Sequence, residues 1–203
     1  SKRQAVFWDF DGVILDSMPT RNAGFAHVLR DFESGDVEAL LNFHNANGGL
    51  SRYVKFDYFQ KEVLGREINA DLTSDWATQF SIFNEERLKD SGLLIEPSLQ
   101  MLNALDGVVP QHIVSGSDGM ELNRICEALD LKSFFRTIEG SPTPKNELVR
   151  NRLSSGKYEA ESCILIGDSG NDHEAAKKNG MAFCGFNNSK LLSAGEFYWD
   201  DKL

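Results

Sequence analysis

Apolar residues fall into two rhythms along the chain. In the second half, short unbroken apolar runs alternate with stretches of helical spacing. Gln111-His112-Ile113-Val114 reads as a strand, and Leu122, Ile125, Cys126 and Leu129 then recur along one helix face. Asp118 and Glu121 suit a capping box at the start of that helix. Arg136-Thr137-Ile138 reads as a further short strand, followed by a helix through Leu148, Val149 and Leu153. Cys163-Ile164-Leu165-Ile166 has the strongest buried-strand character. The helix through Ala175 and Ala176 stops at Lys177-Lys178-Asn179-Gly180, with cations at the negative helix end and a glycine past it. Met181-Ala182-Phe183-Cys184 is the next strand. Such alternation predicts an α/β fold: a parallel sheet, right-handed crossovers and helices on both faces.

The first half breaks this rhythm. Ala5-Val6-Phe7-Trp8 is a short, bulky run that reads as a buried strand. A long region with little strand character follows. Phe25, Val28, Leu29 and Phe32 form one helical stripe, and Trp76, Phe80, Phe83 and Leu88 most of another. Between them lies a polar, glycine-containing loop from Phe43 to Tyr53, and the strand–helix rhythm resumes near Pro97. The expected organisation is a Rossmann-like three-layer core from residues 1–15 and 91–203, interrupted by a helical insertion over 16–90.

Composition narrows the function. A formal charge of -10 argues against general nucleic-acid or anionic-membrane binding. It leaves room for a small anionic substrate, because a metal and a few basic groups reverse the sign locally. Cys126, Cys163 and Cys184 lie far apart in apolar segments without metal spacing, and read as buried free thiols of a reducing compartment. No run spans a membrane and the first residues lack the apolar core of a signal peptide, so the cytoplasm is the expected location.

Polar chemistry gathers at the predicted strand ends. Asp9 and Asp11, with Gly12 after them, close the first strand. Two carboxylates one residue apart converge where a strand unwinds, and a hard divalent cation is the usual partner. Val114-Ser115-Gly116-Ser117-Asp118 brings hydroxyls and free backbone N–H groups to a strand–helix junction that suits an anionic oxygen. Lys145 falls at the start of a helix, against the macrodipole preference, which gives it a use other than helix stability. Ile166-Gly167-Asp168-Ser169-Gly170-Asn171-Asp172 adds two more carboxylates. Each segment alone reads as an ordinary capped turn. Together they occupy the carboxyl ends of strands, where open α/β sheets bind ligands.

In order and placement the four segments resemble the haloacid dehalogenase superfamily, over nearly the whole chain, with an insertion placed like that superfamily's helical cap. The resemblance implies Asp9 as the nucleophile that takes a phosphoryl group, and Asp11 as general acid and then base. It implies Ser115, with Gly116 beside it, as hydrogen-bond donors to the phosphoryl oxygens. Lys145 would supply positive charge. Mg2+ would be the cofactor, with Asp9, Asp11, Asp168 and Asp172 as the metal-site carboxylates and the Phe10 carbonyl as a further ligand. Asp11 selects within the superfamily: a dehalogenase, with no alkoxide to protonate, lacks this second aspartate. A phosphonatase-like enzyme would need an imine-forming lysine; Lys55 is a candidate, but it sits in no matching pattern.

The implied activity is hydrolysis of a small phosphomonoester, with a phosphomutase of the β-phosphoglucomutase type open because it would use the same core residues. A receiver-like signalling domain fits less well, since it has no cap-sized insertion, and a non-catalytic binding member of the fold would not need the full acidic and basic set. The cap should choose the substrate, because it must close over the site and exclude water. Arg21, His44, Arg52 and Lys55 are the expected substrate contacts, and Gly48-Gly49 permits close backbone approach. A sugar phosphate or phosphorylated sugar acid suits such groups, handled by a monomer or homodimer.

Overall fold

The computed structural model describes residues 3–200. Six parallel strands form one sheet in the order β3-β2-β1-β4-β5-β6. They are β1 (Ala5–Trp8), β2 (Gln111–Asp118), β3 (Thr137–Ser141), β4 (Cys163–Gly167), β5 (Ala182–Phe186) and β6 (Phe197–Trp199). β1 is central, with Trp8 in register with Ile113 on one side and Ile166 on the other. That place suits a strand whose residues are all buried. Its carboxyl end therefore opens where the strand order changes direction, between the ends of β2 and β4.

Alternation along β1 assigns the two faces. Val6 and Trp8 pack on one side with Leu102 of α5 (Glu96–Leu105) and Leu122 and Ile125 of α6 (Gly119–Ala128). Ala5 and Phe7 pack on the other with Val149 of α7 (Lys145–Gly156) and Ala175 and Ala176 of α8 (Gly170–Lys178). Trp8 Nε1 donates to Gln111 Oε1 at 3.1 Å, and Gln111 Nε2 donates to the Leu102 carbonyl at 3.1 Å, so the polar atoms of this core are satisfied. All three cysteines are buried free thiols.

Three local features differ from the sequence pattern. β2 runs on through Ser117 to Asp118, past its apolar stretch, and β3 begins at Thr137 rather than Arg136. β6 had no sequence signal: a three-residue edge strand after a turn is too short to show a period. It is anchored by Trp199, which packs 4.5 Å from the Phe186 ring.

Between β1 and α5 the chain forms α1 (Met18–Val28), α2 (Ser34–Ala46), α3 (Arg52–Tyr58) and α4 (Ala70–Leu88), with a wide π-type turn over Phe59–Val63. These helices enclose their own core of Phe25, Phe56, Phe59, Trp76 and Phe80. Phe83 stays half-buried and stacks on His27. The polar loop is shorter than its composition suggested, because α2 continues through His44. Two crossing connections join this cap to the sheet: the Asp16 N–H donates to the Leu93 carbonyl and the Ile95 N–H to the Ile14 carbonyl, at 2.7 and 2.9 Å. Among the described residues no helix is long and apolar enough to cross a membrane.

Candidate active site

Asp9 extends the β1 ladder, its N–H donating to the Ile166 carbonyl at 2.9 Å, and its side chain is buried at the sheet's carboxyl edge. Lys145, the first residue of α7, reaches Asp9 Oδ1 at 2.7 Å and also bonds Asp172. Asp172 belongs to a capping box at the start of α8, where Ser169 donates to its other oxygen through both N–H (3.0 Å) and Oγ (2.6 Å). Asp168 completes the group: one carboxylate oxygen from each of Asp9, Asp168 and Asp172 lies within 4.8 Å of the others. Gly12 makes room for it. Its φ is +76°, and a Cβ there would stand 2.1 Å from Asp168 Oδ2.

Burial, then the Asp172 charge, raise the Asp9 pKa to about 7 against the pull of Lys145. Asp168 is raised well above the usual carboxylate range by burial and by Asp9. Burial disfavours the Lys145 ammonium, but Asp172 and Asp9 outweigh it and its pKa rises. Ionised together, the three carboxylates would outnumber the one ammonium inside the protein, and burial makes that surplus costly without a cation. An all-oxygen donor set with surplus negative charge fits a hard divalent cation.

The Asp11 carboxylate is not in that group. It accepts from Ser17 Oγ at 2.5 Å, from Arg21 Nε at 3.1 Å and from Ser117 Oγ. Burial pushes its pKa up, yet Arg21 and the two hydroxyls prevail and hold it below the usual range. The side chain expected among the metal carboxylates is thus turned to a cation and hydroxyls of its own. The Phe10 carbonyl, expected as a metal ligand, accepts instead from the Val13, Ile14 and Leu15 N–H groups at 3.3, 2.9 and 3.1 Å. With two lone pairs and three amides at it, it has none to offer a cation.

Ser115 is buried at the end of β2, its Oγ accepting from the Ser117 N–H at 3.0 Å. Beside it, a Cβ at Gly116 would lie 2.4 Å from the Gly49 carbonyl, so cap loop and core loop touch backbone to backbone. Deeper under the cap, Glu121 of α6 takes two guanidiniums. Arg21 Nη1 donates to Oε1 at 2.6 Å, and Arg52 donates to Oε2 and Oε1 at 2.8 and 2.9 Å. Burial raises the Glu121 pKa, but the arginines bring it down to about 2. Here the expected capping box is half made: Asp118 accepts from the Met120 and Glu121 N–H groups, while the Glu121 side chain turns to the cap arginines. Lys55 Nζ lies 2.9 Å from His44 Nδ1. Asp11, Arg21, His44, Arg52, Lys55 and Gly116 all line one narrow cavity of about 20 Å³, room for roughly one water.

The chain matches the haloacid dehalogenase-like hydrolase family over residues 6–186. It belongs to that family. It is 21% identical over 182 residues to a phosphoglycolate phosphatase from Colwellia psychrerythraea, a match covering 87% of this chain and 80% of that one. A β-phosphoglucomutase from Clostridium difficile superposes with a TM-score of 0.79 at 16% identity, covering 98% and 91% of the two chains. A haloacid dehalogenase-superfamily hydrolase from Bacillus subtilis, bound to magnesium in a structure that reveals interdomain movement, superposes at 0.69 with 18% identity, covering 98% and 95%. The three-layer α/β core of this hydrolase is thus the fold its sequence rhythm implied.

The cluster of charges under the cap also draws on residues that the sequence pattern did not single out as site residues. Ser17 and Ser117 hold Asp11, Ser169 holds Asp172, and Glu121 joins the cap arginines. Ser117 lay inside a motif already singled out, but hydroxyls beside a strand end carry no signal of which carboxylate they face.

Proposed function

We propose that this hydrolase is a Mg2+-dependent phosphatase acting on a small phosphorylated metabolite, a sugar phosphate or phosphorylated sugar acid, through an aspartyl-phosphate on Asp9. The observation that carries the reading is the buried knot of Asp9, Lys145, Asp168 and Asp172 at the end of the central strand, with Asp11 held apart from it by its own partners. Magnesium on the Bacillus subtilis relative supports that ion for the surplus negative charge, and the phosphoglycolate phosphatase relative supports a phosphate ester.

Asp9 and Asp168 would hold Mg2+, whose bound charge neutralises the phosphoryl group and aligns it for in-line attack. The Asp9 carboxylate oxygen forms the new P–O bond as the ester P–O bond breaks. Lys145 keeps positive charge beside Asp9, and Asp172 orients Lys145. Ser115 Oγ and the Gly116 N–H donate to the phosphoryl oxygens as charge moves onto them. Asp11 gives the leaving alkoxide its proton. An arriving phosphate dianion favours the protonated acid, because a like charge raises a carboxyl pKa. Asp11 then takes a proton from the water that attacks phosphorus, which frees Asp9 and releases phosphate. The cap closes this chemistry off from solvent, and the interdomain movement of the Bacillus subtilis relative supports a cap that opens between turnovers.

A phosphate-release screen over phosphorylated metabolites, with and without Mg2+, tests the reading. Release should require the ion, and Asp9→Asn should lower it by roughly three orders of magnitude or more. Near-normal release by that variant overturns the nucleophile. Full-length likeness to a β-phosphoglucomutase favours one other reading, a phosphomutase in which the phosphoryl group on Asp9 passes to a sugar hydroxyl instead of to water. Isomerised sugar phosphate in place of inorganic phosphate would select it.

A further inference from the structure

Nearly every charge buried beneath the cap has its opposite. Arg21 pairs with Asp11 and Glu121, Arg52 with Glu121, and Lys145 with Asp9 and Asp172. Lys55 is the exception. It is 3% exposed, and among the described residues no carboxylate pairs with it; its hydrogen-bond partner is the His44 imidazole. A cation in low dielectric without a counter-ion is costly, and burial accordingly lowers the Lys55 pKa to about 7.

His44 repeats the pattern. It is also 3% exposed, burial and the Lys55 charge lower its pKa to about 2, and its Nε2 is buried without a partner. As an ammonium Lys55 can only donate, so Nδ1 accepts and the ring proton sits on Nε2. The cap thus places a lysine without a counter-ion and a histidine with an unmet N–H along the same cavity that Asp11 lines. A buried donor left without an acceptor loses about 1–3 kcal/mol, which a bound oxygen would restore.

We propose that Lys55 and His44 form the receptor for a carboxylate at the non-transferred end of the substrate, making the substrate a short phosphorylated hydroxy acid rather than a neutral sugar phosphate. A hydroxyl would satisfy the donors but leave the charge of Lys55 uncompensated. A second phosphate would bring two negative charges to one cation in a cavity with little spare room, while both arginines are already engaged. One planar, singly charged group with two acceptor oxygens matches one ammonium and one imidazole N–H. The inference rests on the phosphate-ester reading of the site, whose phosphoryl end lies at Asp9.

Calorimetric binding to the intact protein with Mg2+ tests it without turnover, using three non-hydrolysable probes of one length: 3-phosphonopropionate, 3-hydroxypropylphosphonate and ethane-1,2-bisphosphonate. The carboxylate probe should bind about tenfold or more tighter than the hydroxyl probe. In Lys55→Met that ratio should fall to about one, and in His44→Phe it should fall part of the way. Equal wild-type affinities for the carboxylate and hydroxyl probes overturn the proposal while leaving the phosphate site standing, and so does tightest binding of the bisphosphonate. No binding of any probe overturns the phosphate-site reading and the proposal together.

Discussion

Two lysines divide the molecule's chemistry. Lys145, in the core, and Lys55, in the cap, are both buried, yet their acidities move in opposite directions. Burial disfavours both ammonium groups; the neighbours decide the result. Lys145 meets two carboxylates delivered by β1 and α8, and stays charged. Lys55 meets an imidazole delivered by α2, and its pKa falls to about 7. The geometry of the core is settled within the chain, because strand ends fix Asp9 and Asp168 and a capping box fixes Asp172. On the proposed reading, charge in the cap is left for a ligand to complete, and the core carries the reaction while the cap selects the molecule.

Removing each lysine should therefore have opposite consequences, and the core change is the larger. Lys145→Met leaves Asp9, Asp168 and Asp172 together with no internal cation. It should cost about 3–5 kcal/mol of stability without metal, since one partner of a buried pair is gone. Phosphate release should fall by roughly three orders of magnitude. Urea unfolding and a phosphate assay check both, and unchanged stability would mean that Lys145 contributes nothing to holding the acidic group together. Lys55→Met should instead stabilise the ligand-free protein at pH 7, by a few kcal/mol at most. The folded pKa of Lys55 is depressed from 10.5 to about 7, so the unfolded chain binds more protons across that window. Wild-type stability should rise with pH from about 7 to 10.5, and the variant should lack that slope. Urea midpoints at neutral and alkaline pH settle it. A variant less stable than wild type at pH 7 breaks the contrast between the two lysines.

The same division explains what could be read from the sequence. Asp9, Ser115, Lys145 and Asp168 were legible because each follows an apolar run or opens a helix, and a parallel sheet gathers such ends at one edge. Their exact partners were not. Asp11 sits two positions from Asp9 yet faces Arg21 and two serines, because the loop that Gly12 turns sends it elsewhere. Glu121 fits a capping box by spacing, but two guanidiniums outcompete a single backbone N–H for its charge. The His44–Lys55 contact joins separate helices of an insertion whose packing no periodicity reveals. Spacing locates groups along the chain; tertiary packing decides which charge meets which.

The smallest expected effect separates the two regions by pH. Burial and Asp172 raise Asp9 from 3.8 to about 7, so without metal the folded state holds a proton that the unfolded chain has lost. The stability Asp9 contributes is complete below 3.8 and disappears as pH rises through about 7, the reverse of the Lys55 slope and in a lower window. A divalent cation bound by Asp9 must displace that proton. Its apparent affinity should weaken about tenfold for each pH unit below 7 and level off above it. The dependence steepens if Asp168, also raised, gives up a second proton. Titrating Mg2+ calorimetrically from pH 5 to 8, with Asp168→Asn as a control that should abolish the binding, reads the effect directly. Lys55→Met should leave the slope below pH 7 in place, because Lys55 is already protonated there and its hydrogen-bond partner is His44 rather than the acidic group. A Mg2+ affinity that stays flat from pH 5 to 8 would mean that Asp9 is not among the groups holding the ion. The core would then share with the cap a charge that only the substrate completes.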